Sequence, residues 1–274
     1  MDLPLIHVIA LFYWESWSTI LNHRAWLARQ LMRMAFVSCI FSWPGFEIDY
    51  CSIDLMHCGC LGVNLYLLGS VIWERFHVMK GFVTRPQSTL TEMLRFIKIA
   101  AKEIGQKRPP INDLVIGMLS NGSSQPRPRL KVKAAESRHL LSCVNWLLQN
   151  LWAPKSEYEE LVMQCVKALS GFYDQIYLWD AGDMEGRSGC LKHGKRFLQL
   201  YAELVIMNKD GILYKWFPKF HLFQHLLESQ IPFLGNPKDA WCYFDESNIG
   251  LASKLAESCH PSTIHRLVLT KARL

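Results

Sequence analysis

The sequence predicts a mainly helical protein in which strands contribute a small part of the core. Long stretches place apolar residues three and four positions apart, the spacing that puts them on one face of a helix. Short stretches rich in glycine, proline, serine and asparagine separate these segments. Hydrophobic residues make up 50% of the 274 residues and charged residues 20%, so the chain has enough apolar side chains to form a substantial core.

The first half of the chain is predicted to contain three helices and one short strand. Thr89 and Glu92 form a capping-box pattern, in which two side chains satisfy free backbone N–H groups of the first turn, so we expect a helix to begin there. Gly105 should end that helix. The predicted elements are helices over 16–37, 60–76 and 89–104 and a strand over 46–54.

The second half is predicted to contain five helices. Ser156 suits the N-cap of one of them, because the acidic residues that follow it favour the positive end of a helix dipole. Residues 120–130 and 180–190 are predicted as loops because of their glycine-rich and polar composition. Residues 241–244 fit either a short strand or the start of a helix. The predicted helices cover 131–151, 156–179, 191–208, 219–229 and 246–258.

Charge and cysteine content indicate an intracellular protein. The net charge of +6 is compatible with binding to nucleic acid, but a mildly basic protein that does not bind nucleic acid can have the same charge. The nine cysteines are irregularly spaced, which indicates reduced thiols rather than a secreted disulfide framework. The apolar run from Leu3 to Trp14 is shorter than the roughly 20 residues of a membrane span. It also lacks the basic start of a signal peptide, so we expect no membrane partner.

A first candidate site contains Asp49, Asp54 and His57. Positions 54 and 57 are three apart, so in a helical turn the carboxylate and the imidazole share a face, where they can hold one divalent ion or a water. The same pattern fits a helix cap beside a partly buried histidine, and both interpretations stay open. Structural zinc is disfavoured, because Cys58 and Cys60 lack the second pair of ligands that a zinc knuckle needs.

Two histidines, His221 and His225, lie at positions i and i+4 of a predicted helix. This spacing resembles that of zinc-binding helices, but Leu222 stands where a zinc protease has its catalytic glutamate, so that class is excluded. Two histidines packed on a helix face are the simpler interpretation. The sequence also has no phosphate-binding loop, dinucleotide fingerprint, nucleophile elbow or kinase signature, so we expect no small-molecule cofactor.

Charged residues elsewhere offer two further candidate groups. Asp245 and Glu246 fit either a helix cap or one part of a carboxylate cluster for Mg²⁺ or Mn²⁺, which prefer oxygen ligands. Basic residues fit the phosphate backbone of DNA, although a solvated loop explains them equally well. The basic groups are Arg127, Arg129, Lys131, Lys133 and Arg138, and then Lys192, Lys195 and Arg196.

The order of several short motifs resembles that of a known family. Residues 43–46 (Trp-Pro-Gly-Phe) followed by 52–62, with Asp-Leu-Met-His at 54–57, resemble the D-x-M-H…LG block of CACTA-type and related DNA transposases. Residues 133–139 resemble a helix of the insertion that follows this block. Residues 218–225 and 241–246 resemble the segment that carries the last catalytic glutamate.

This resemblance implies an RNase H-like α/β core interrupted by a large all-helical insertion. The expected fold is therefore mainly α, with a partial RNase H-like core. Residues 1–61 would form an N-terminal helical region and a remnant of the core, 62–215 the helical insertion, and 216–274 the C-terminal part of the core with the catalytic glutamate.

The resemblance also implies a catalytic site. The family uses two aspartates and a glutamate to bind two Mg²⁺ or Mn²⁺ ions that cut and rejoin DNA. Asp54 and His57 match the string beside the second aspartate, and Asp49 is a neighbouring candidate. Glu246 is the expected glutamate, with Asp245 as the alternative, so Asp54 and Glu246 would bind the metal.

The family's first catalytic aspartate has no counterpart in the sequence. About 50 residues precede Asp54, and they are predicted as helix, with Asp2 too close to the terminus. We therefore expect a truncated, inactive transposase fragment that binds DNA in the nucleus, because two of three carboxylates cannot hold the metal pair. The alternative is a non-enzymatic helical module that binds DNA or protein.

Overall fold

The computed structural model describes residues 52–80, 86–119, 128–180 and 183–257, and these are mainly helical. No strand occurs within these ranges, which confirms the prediction of a mainly helical protein. Residues 52–54, the end of the predicted strand, have no regular structure, and residues 241–244 lead into a helix that begins at Tyr243 rather than forming a strand. The helix predicted over 16–37 and the rest of the strand lie outside the described residues.

Ten helical segments are numbered α1 to α10 within the described ranges. A second π-helical turn, Leu226–Gln230, follows α8, and a 3₁₀ turn, Pro237–Ala240, precedes α10. The segments are the π-helical α1 (Met56–Val63), α2 (Asn64–Lys80), α3 (Pro86–Glu103), α4 (Ile116–Leu119), α5 (Ala134–Asn150), α6 (Glu157–Leu178), α7 (Met184–Met207), α8 (Pro218–His225), α9 (Ile231–Leu234) and α10 (Tyr243–Glu257).

The segment formed by α1 and α2 is apolar and lies in the core. By length and composition Met56–Met79 could cross a membrane, but 78% of its most apolar window is buried inside the protein, as in a core helix. A kink at Gly62 (φ −117°, ψ −105°) lies near the end of α1, just before α2 begins. A Cβ atom on Gly62 would lie 3.1 Å from both the carbonyl oxygen of His57 and the Cβ of Lys219, so the glycine allows α8 to approach α1 closely.

Helices α6 and α7 pack along each other and are joined by the short connection 179–183. Ser156 caps α6 by accepting a hydrogen bond from the backbone N–H of Glu159 at 3.2 Å, which confirms the predicted N-cap. At the other end of α6, the side-chain amide of Asn236 donates to the carbonyl groups of Ile176 (2.9 Å) and Trp179 (3.0 Å). These bonds satisfy carbonyls that the end of a helix leaves without partners.

Two predicted helix starts were wrong. Thr89 lies inside α3 and is fully buried, so the capping-box interpretation fails, and Pro86 occupies the first turn, where proline is tolerated. Helix α7 begins at Met184 rather than at 191, because the carboxylate of Asp183 caps it by accepting from the N–H groups of Glu185 (2.9 Å) and Gly186 (3.1 Å). A Cβ on Gly186 would lie 3.0 Å from the Cα of Trp179, so this glycine serves close packing.

The described residues from Ile53 onward belong to one compact unit. Its core contains fully buried side chains from most of the helices, so the regions around 55–60 and 220–231 share a core with the helices between them. The predicted boundaries of the helical insertion, at 61/62 and 215/216, remain a prediction about ancestry. Representative members of the core are Leu55, Leu68, Ile97, Leu147, Phe172, Phe197 and Phe223.

Candidate metal-binding site

The carboxylate of Asp54 lies at the start of α1. Its Oδ1 accepts a hydrogen bond from the backbone N–H of Met56 at 2.9 Å, and its Oδ2 accepts one from that of His57 at 3.1 Å. These N–H groups have no partner within the helix, so the side chain acts as a cap and its negative charge meets the positive end of the helix dipole. The backbone of α1 therefore fixes where this carboxylate lies.

His57 places its imidazole against the same carboxylate. Its Nδ1 is in direct contact with Oδ2 of Asp54, as expected for side chains three positions apart on a helical turn. The side chain of His57 is 43% exposed and that of Asp54 is 21% exposed, so water reaches the pair from one side. The spacing of Asp54 and His57 thus has the geometric result that the sequence indicated, while their catalytic role stays a prediction.

Cys242 completes the cluster from a distant part of the chain. It lies between the 3₁₀ turn Pro237–Ala240 and α10. Its Sγ is 2.8 Å from Oδ2 of Asp54 and 3.3 Å from Nδ1 of His57, and its backbone N–H donates to Oδ1 of Asp54 at 3.1 Å. Three atoms of the kinds that bind metals, an oxygen, a nitrogen and a sulfur, therefore lie close together, although 188 positions separate Asp54 from Cys242.

Hydrogen bonding favours the ionised form of Asp54. Burial by itself raises the pKa of this carboxyl group, but the hydrogen bonds from Cys242 and His57, with those of the backbone, outweigh it. The pKa of Asp54 consequently lies below its usual value. The carboxylate is thus negatively charged at neutral pH, which suits a ligand for a cation.

The other cysteines of α1 do not join the cluster. Cys58 and Cys60 are buried, and burial raises the pKa of both thiols, that of Cys58 to about 12. The Sγ of Cys60 is 3.6 Å from the hydroxyl group of Tyr173. Both thiols are consequently protonated core side chains. Cys242, the thiol that does reach His57, was not among the predicted ligands.

Arg138 lies in a cage of aromatic rings that includes both neighbours of Cys242. Its guanidinium carbon is 5.2 Å from the ring centre of Tyr177, 5.6 Å from that of Trp241 and 5.7 Å from that of Tyr243. These are cation–π distances. Arg138 therefore links α5 to the segment around Cys242, and any contact between Arg138 and DNA remains a prediction.

The motif blocks meet around α1. The hydroxyl group of Ser137 on α5 donates to the carbonyl oxygen of Cys60 at 2.6 Å. Helix α8 packs on α1 through Lys219 at Gly62, and the 241–246 block contacts α1 through Cys242. Four stretches that are far apart in the sequence thus form one region of the folded chain.

The other candidate site residues lie away from the Asp54 cluster or outside the described part of the structure. Asp49 and Arg127 lie outside the described residues, and Asp245 and Glu246 lie in α10 with side chains that are not described. His221 and His225 contact each other, with 3.0 Å between their Nε2 atoms. The remaining basic residues are exposed: Arg129, Lys131, Lys133, Lys192, Lys195 and Arg196.

Among the described residues, no group of three potential metal ligands contains more than one carboxylate. The Asp, Asp and Glu centre that the transposase resemblance implies stays a prediction, because the side chains of Asp49, Asp245 and Glu246 lie outside the described ones. Among the described side chains, a thiol and an imidazole lie beside Asp54. No family model matches the chain, and no curated protein or solved structure matches it either.

Proposed function

We propose that this chain is a transposase-derived nuclear protein that binds DNA without cutting it. One observation carries the proposal: the blocks that resemble the transposase family, at 52–62, 133–139, 218–225 and 241–246, meet around α1. The blocks keep the family's order along the chain and also share one region of the fold, as parts of one ancestral site would. An RNase H-like sheet is no part of the described residues, so the ancestry rests on the motif blocks and the helices.

The donor set argues against strand cleavage by two metal ions. Two-metal hydrolysis depends on several carboxylates that bridge a pair of Mg²⁺ or Mn²⁺ ions. The cluster around Asp54 offers one carboxylate, one imidazole and one thiol. We therefore expect no cleavage activity from these side chains.

Exposed cations on α7 support binding to DNA. Lys192, Lys195 and Arg196 are exposed and lie at positions i, i+3 and i+4, so they share one face of the helix. Such a row can follow a phosphate backbone and release the counterions bound to it. Arg129, Lys131 and Lys133 form a second exposed group before α5.

The test measures the affinity for a DNA duplex by fluorescence anisotropy as salt is raised. We expect binding that weakens by roughly tenfold or more between about 50 and about 200 mM salt, because phosphate contacts dominate it. Replacement of Lys192, Lys195 and Arg196 together by glutamate should weaken the affinity for DNA further. The matched control reverses three exposed lysines elsewhere, Lys98, Lys102 and Lys107, and should have the smaller effect.

Two results would contradict the proposal. Absence of binding at low salt, or equal losses in the two triple variants, would remove the support for a DNA-binding face on α7. Cleavage of the duplex in Mg²⁺ or Mn²⁺ would show that the chain is an active nuclease, contrary to the expectation from its donor set.

A protein-binding module is the second candidate, and exposed apolar side chains favour it. Leu178 is 70% exposed, Met184 69% and Phe233 83%. Arg187 donates to the carbonyl oxygen of Pro232 at 2.6 Å, which brings the start of α7 close to α9. Two results together would favour this candidate over the first. The chain would not bind DNA, and it would bind a protein partner with an affinity that salt does not change and that Phe233→Ser abolishes.

A further inference from the structure

We propose that Asp54, His57 and Cys242 bind one Zn²⁺ ion. Oδ2 of Asp54, Nδ1 of His57 and Sγ of Cys242 all face one another, with 3.3 Å between Sγ and Nδ1 and 2.8 Å between Sγ and Oδ2. Ligands of tetrahedral zinc lie about 3.3–3.8 Å apart, given bond lengths of about 2.0–2.3 Å. Small side-chain rotations that open the two contacts to Oδ2 would therefore admit the ion.

The hydrogen bonds of Asp54 prepare one oxygen for this role. Oδ1 accepts from the backbone N–H groups of Met56 at 2.9 Å and Cys242 at 3.1 Å. The carboxylate is held on that side by the backbone, so Oδ2 points towards the sulfur and the imidazole nitrogen. Partners of this kind, which orient a ligand without touching the metal, are typical of metal sites in proteins.

The types of ligand select the metal. A thiolate and an imidazole are the preferred ligands of Zn²⁺, whereas Mg²⁺ and Mn²⁺ prefer oxygen atoms. The site therefore differs from the Mg²⁺ centre that the transposase resemblance implies. Three protein ligands leave a fourth position for water, which the 43% exposure of the His57 side chain makes accessible.

Charge and proton transfer balance in the binding step. Zn²⁺ forms bonds to Oδ2, Nδ1 and Sγ, and the proton of the Cys242 thiol passes to solvent as the sulfur–zinc bond forms. The imidazole binds in its neutral form, so the proton that Nδ1 shares with Asp54 in the metal-free protein leaves that atom, and the remaining ring proton is on Nε2. The two charges of the ion are then matched by one carboxylate and one thiolate. The bound ion connects the start of α1 to the segment before α10, and this inference does not depend on DNA binding.

Cobalt substitution provides the test, because a cobalt ion bound by a thiolate has a ligand-to-metal charge-transfer band. Reduced, chelator-treated protein should bind one equivalent of Co²⁺ with this band, and Zn²⁺ should abolish it. Zinc should raise the melting temperature by about 5–10 °C when its free concentration is about a hundred times Kd. Cys242→Ala should lose the band and the shift, and His57→Gln should weaken Co²⁺ affinity by about tenfold or more.

Two control variants separate this site from other potential ligands. Cys60→Ala removes the nearby buried thiol, and His221→Gln with His225→Gln removes the histidine pair on α8. Both should keep the cobalt band. A wild type without the band, a band that survives Cys242→Ala, or a band lost in Cys60→Ala would each overturn the proposal. Circular dichroism of Cys242→Ala checks that its loss of metal binding is not a loss of the fold.

Discussion

The apolar segment formed by α1 and α2 carries two polar clusters that differ in chemistry. Near its start, Asp54 meets His57 and Cys242. Further along α2, Glu74 accepts hydrogen bonds from the hydroxyl groups of Tyr158 at 2.6 Å and Tyr214 at 2.8 Å. Both clusters join residues that are far apart in the sequence, but one consists of matched donors and acceptors and the other of potential metal ligands.

The Glu74 cluster is complete without a ligand. Burial raises the pKa values of the Tyr158 and Tyr214 hydroxyl groups, so both stay protonated and donate to the carboxylate. The side-chain amide of Asn208 donates in turn to the hydroxyl oxygen of Tyr158 at 3.2 Å. Since each carboxylate oxygen has a donor, the network stabilises the fold by itself.

The Asp54 cluster also has donors for both carboxylate oxygens, but two of the groups around Oδ2 are of another chemical type. The thiol of Cys242 and the imidazole of His57 can each bind a metal ion once the atom that faces Oδ2 has released its proton. Polar side chains that connect distant segments thus stabilise the fold in one place and prepare a binding site in the other. The comparison teaches that the chemistry of the facing atoms, more than their burial, distinguishes these roles.

The largest expected effect is on the Glu74 cluster. Glu74→Ala should lower the free energy of unfolding by about 2–4 kcal/mol, because it leaves the buried hydroxyl group of Tyr214 and the partly buried one of Tyr158 without their acceptor. Chemical denaturation with chelator present measures this. Glu74→Gln keeps one acceptor and should cost less. An effect of Glu74→Ala below about 0.5 kcal/mol, the range of ordinary surface substitutions, would contradict this account of the network.

A smaller effect is expected at Asp54 in the metal-free protein. Asp54→Ala should cost about 1–2 kcal/mol of stability, because the N–H groups of Met56 and His57 lose their cap. Denaturation in chelator measures the loss, with Asp54→Asn as a control that keeps one oxygen acceptor. Equal stability of wild type and Asp54→Ala would show that the carboxylate does not cap α1.

Arg138 tests how firmly the aromatic cage holds the segment around Cys242. Arg138→Leu should cost about 1 kcal/mol of stability through loss of cation–π contacts, and Arg138→Lys should retain part of them. If the cage fully occupies this side chain, Arg138→Leu leaves DNA affinity within about twofold, since the loss of a cation that contacts a phosphate would lower it more at low salt. A larger loss of DNA affinity with unchanged thermal stability would assign Arg138 to DNA instead.

The smallest effect concerns pH. The pKa of Asp54 in the folded protein lies below its ordinary value of 3.8. Its ionised form therefore stabilises the fold above that ordinary value, and the contribution disappears as pH falls through the lower folded pKa. In chelator, the difference in stability between wild type and Asp54→Asn should shrink as pH falls below about 4. If this difference in stability grows as pH falls below about 4, the pKa of Asp54 in the folded protein is raised rather than lowered.

Local parts of this fold could be predicted from the sequence. The N-cap at Ser156 and the contact between Asp54 and His57 depend on residues three positions apart, so the helical repeat is enough to indicate them. The start of α7 was missed because Gly186 resembles a loop residue, although in the structure it allows close packing against Trp179. Composition alone does not distinguish these two uses of glycine.

The third member of the site could not be predicted in the same way. Cys242 is 188 positions from Asp54, and no periodicity connects residues across that distance. A cysteine also suits a protein core, as Cys58 and Cys60 show. The available signal is the place of Cys242 inside the 241–246 motif block, in which the resemblance assigns a role to the carboxylates and none to the thiol.

The most direct test of the contrast between the clusters is the shift in melting temperature that Zn²⁺ causes in wild type, Glu74→Ala and Cys242→Ala. We expect wild type and Glu74→Ala to show the same rise of about 5–10 °C, although Glu74→Ala starts from a lower value. Cys242→Ala should start near wild type and show no rise. A full zinc-induced rise in Cys242→Ala would contradict the central claim that this thiol, with Asp54 and His57, forms a metal site.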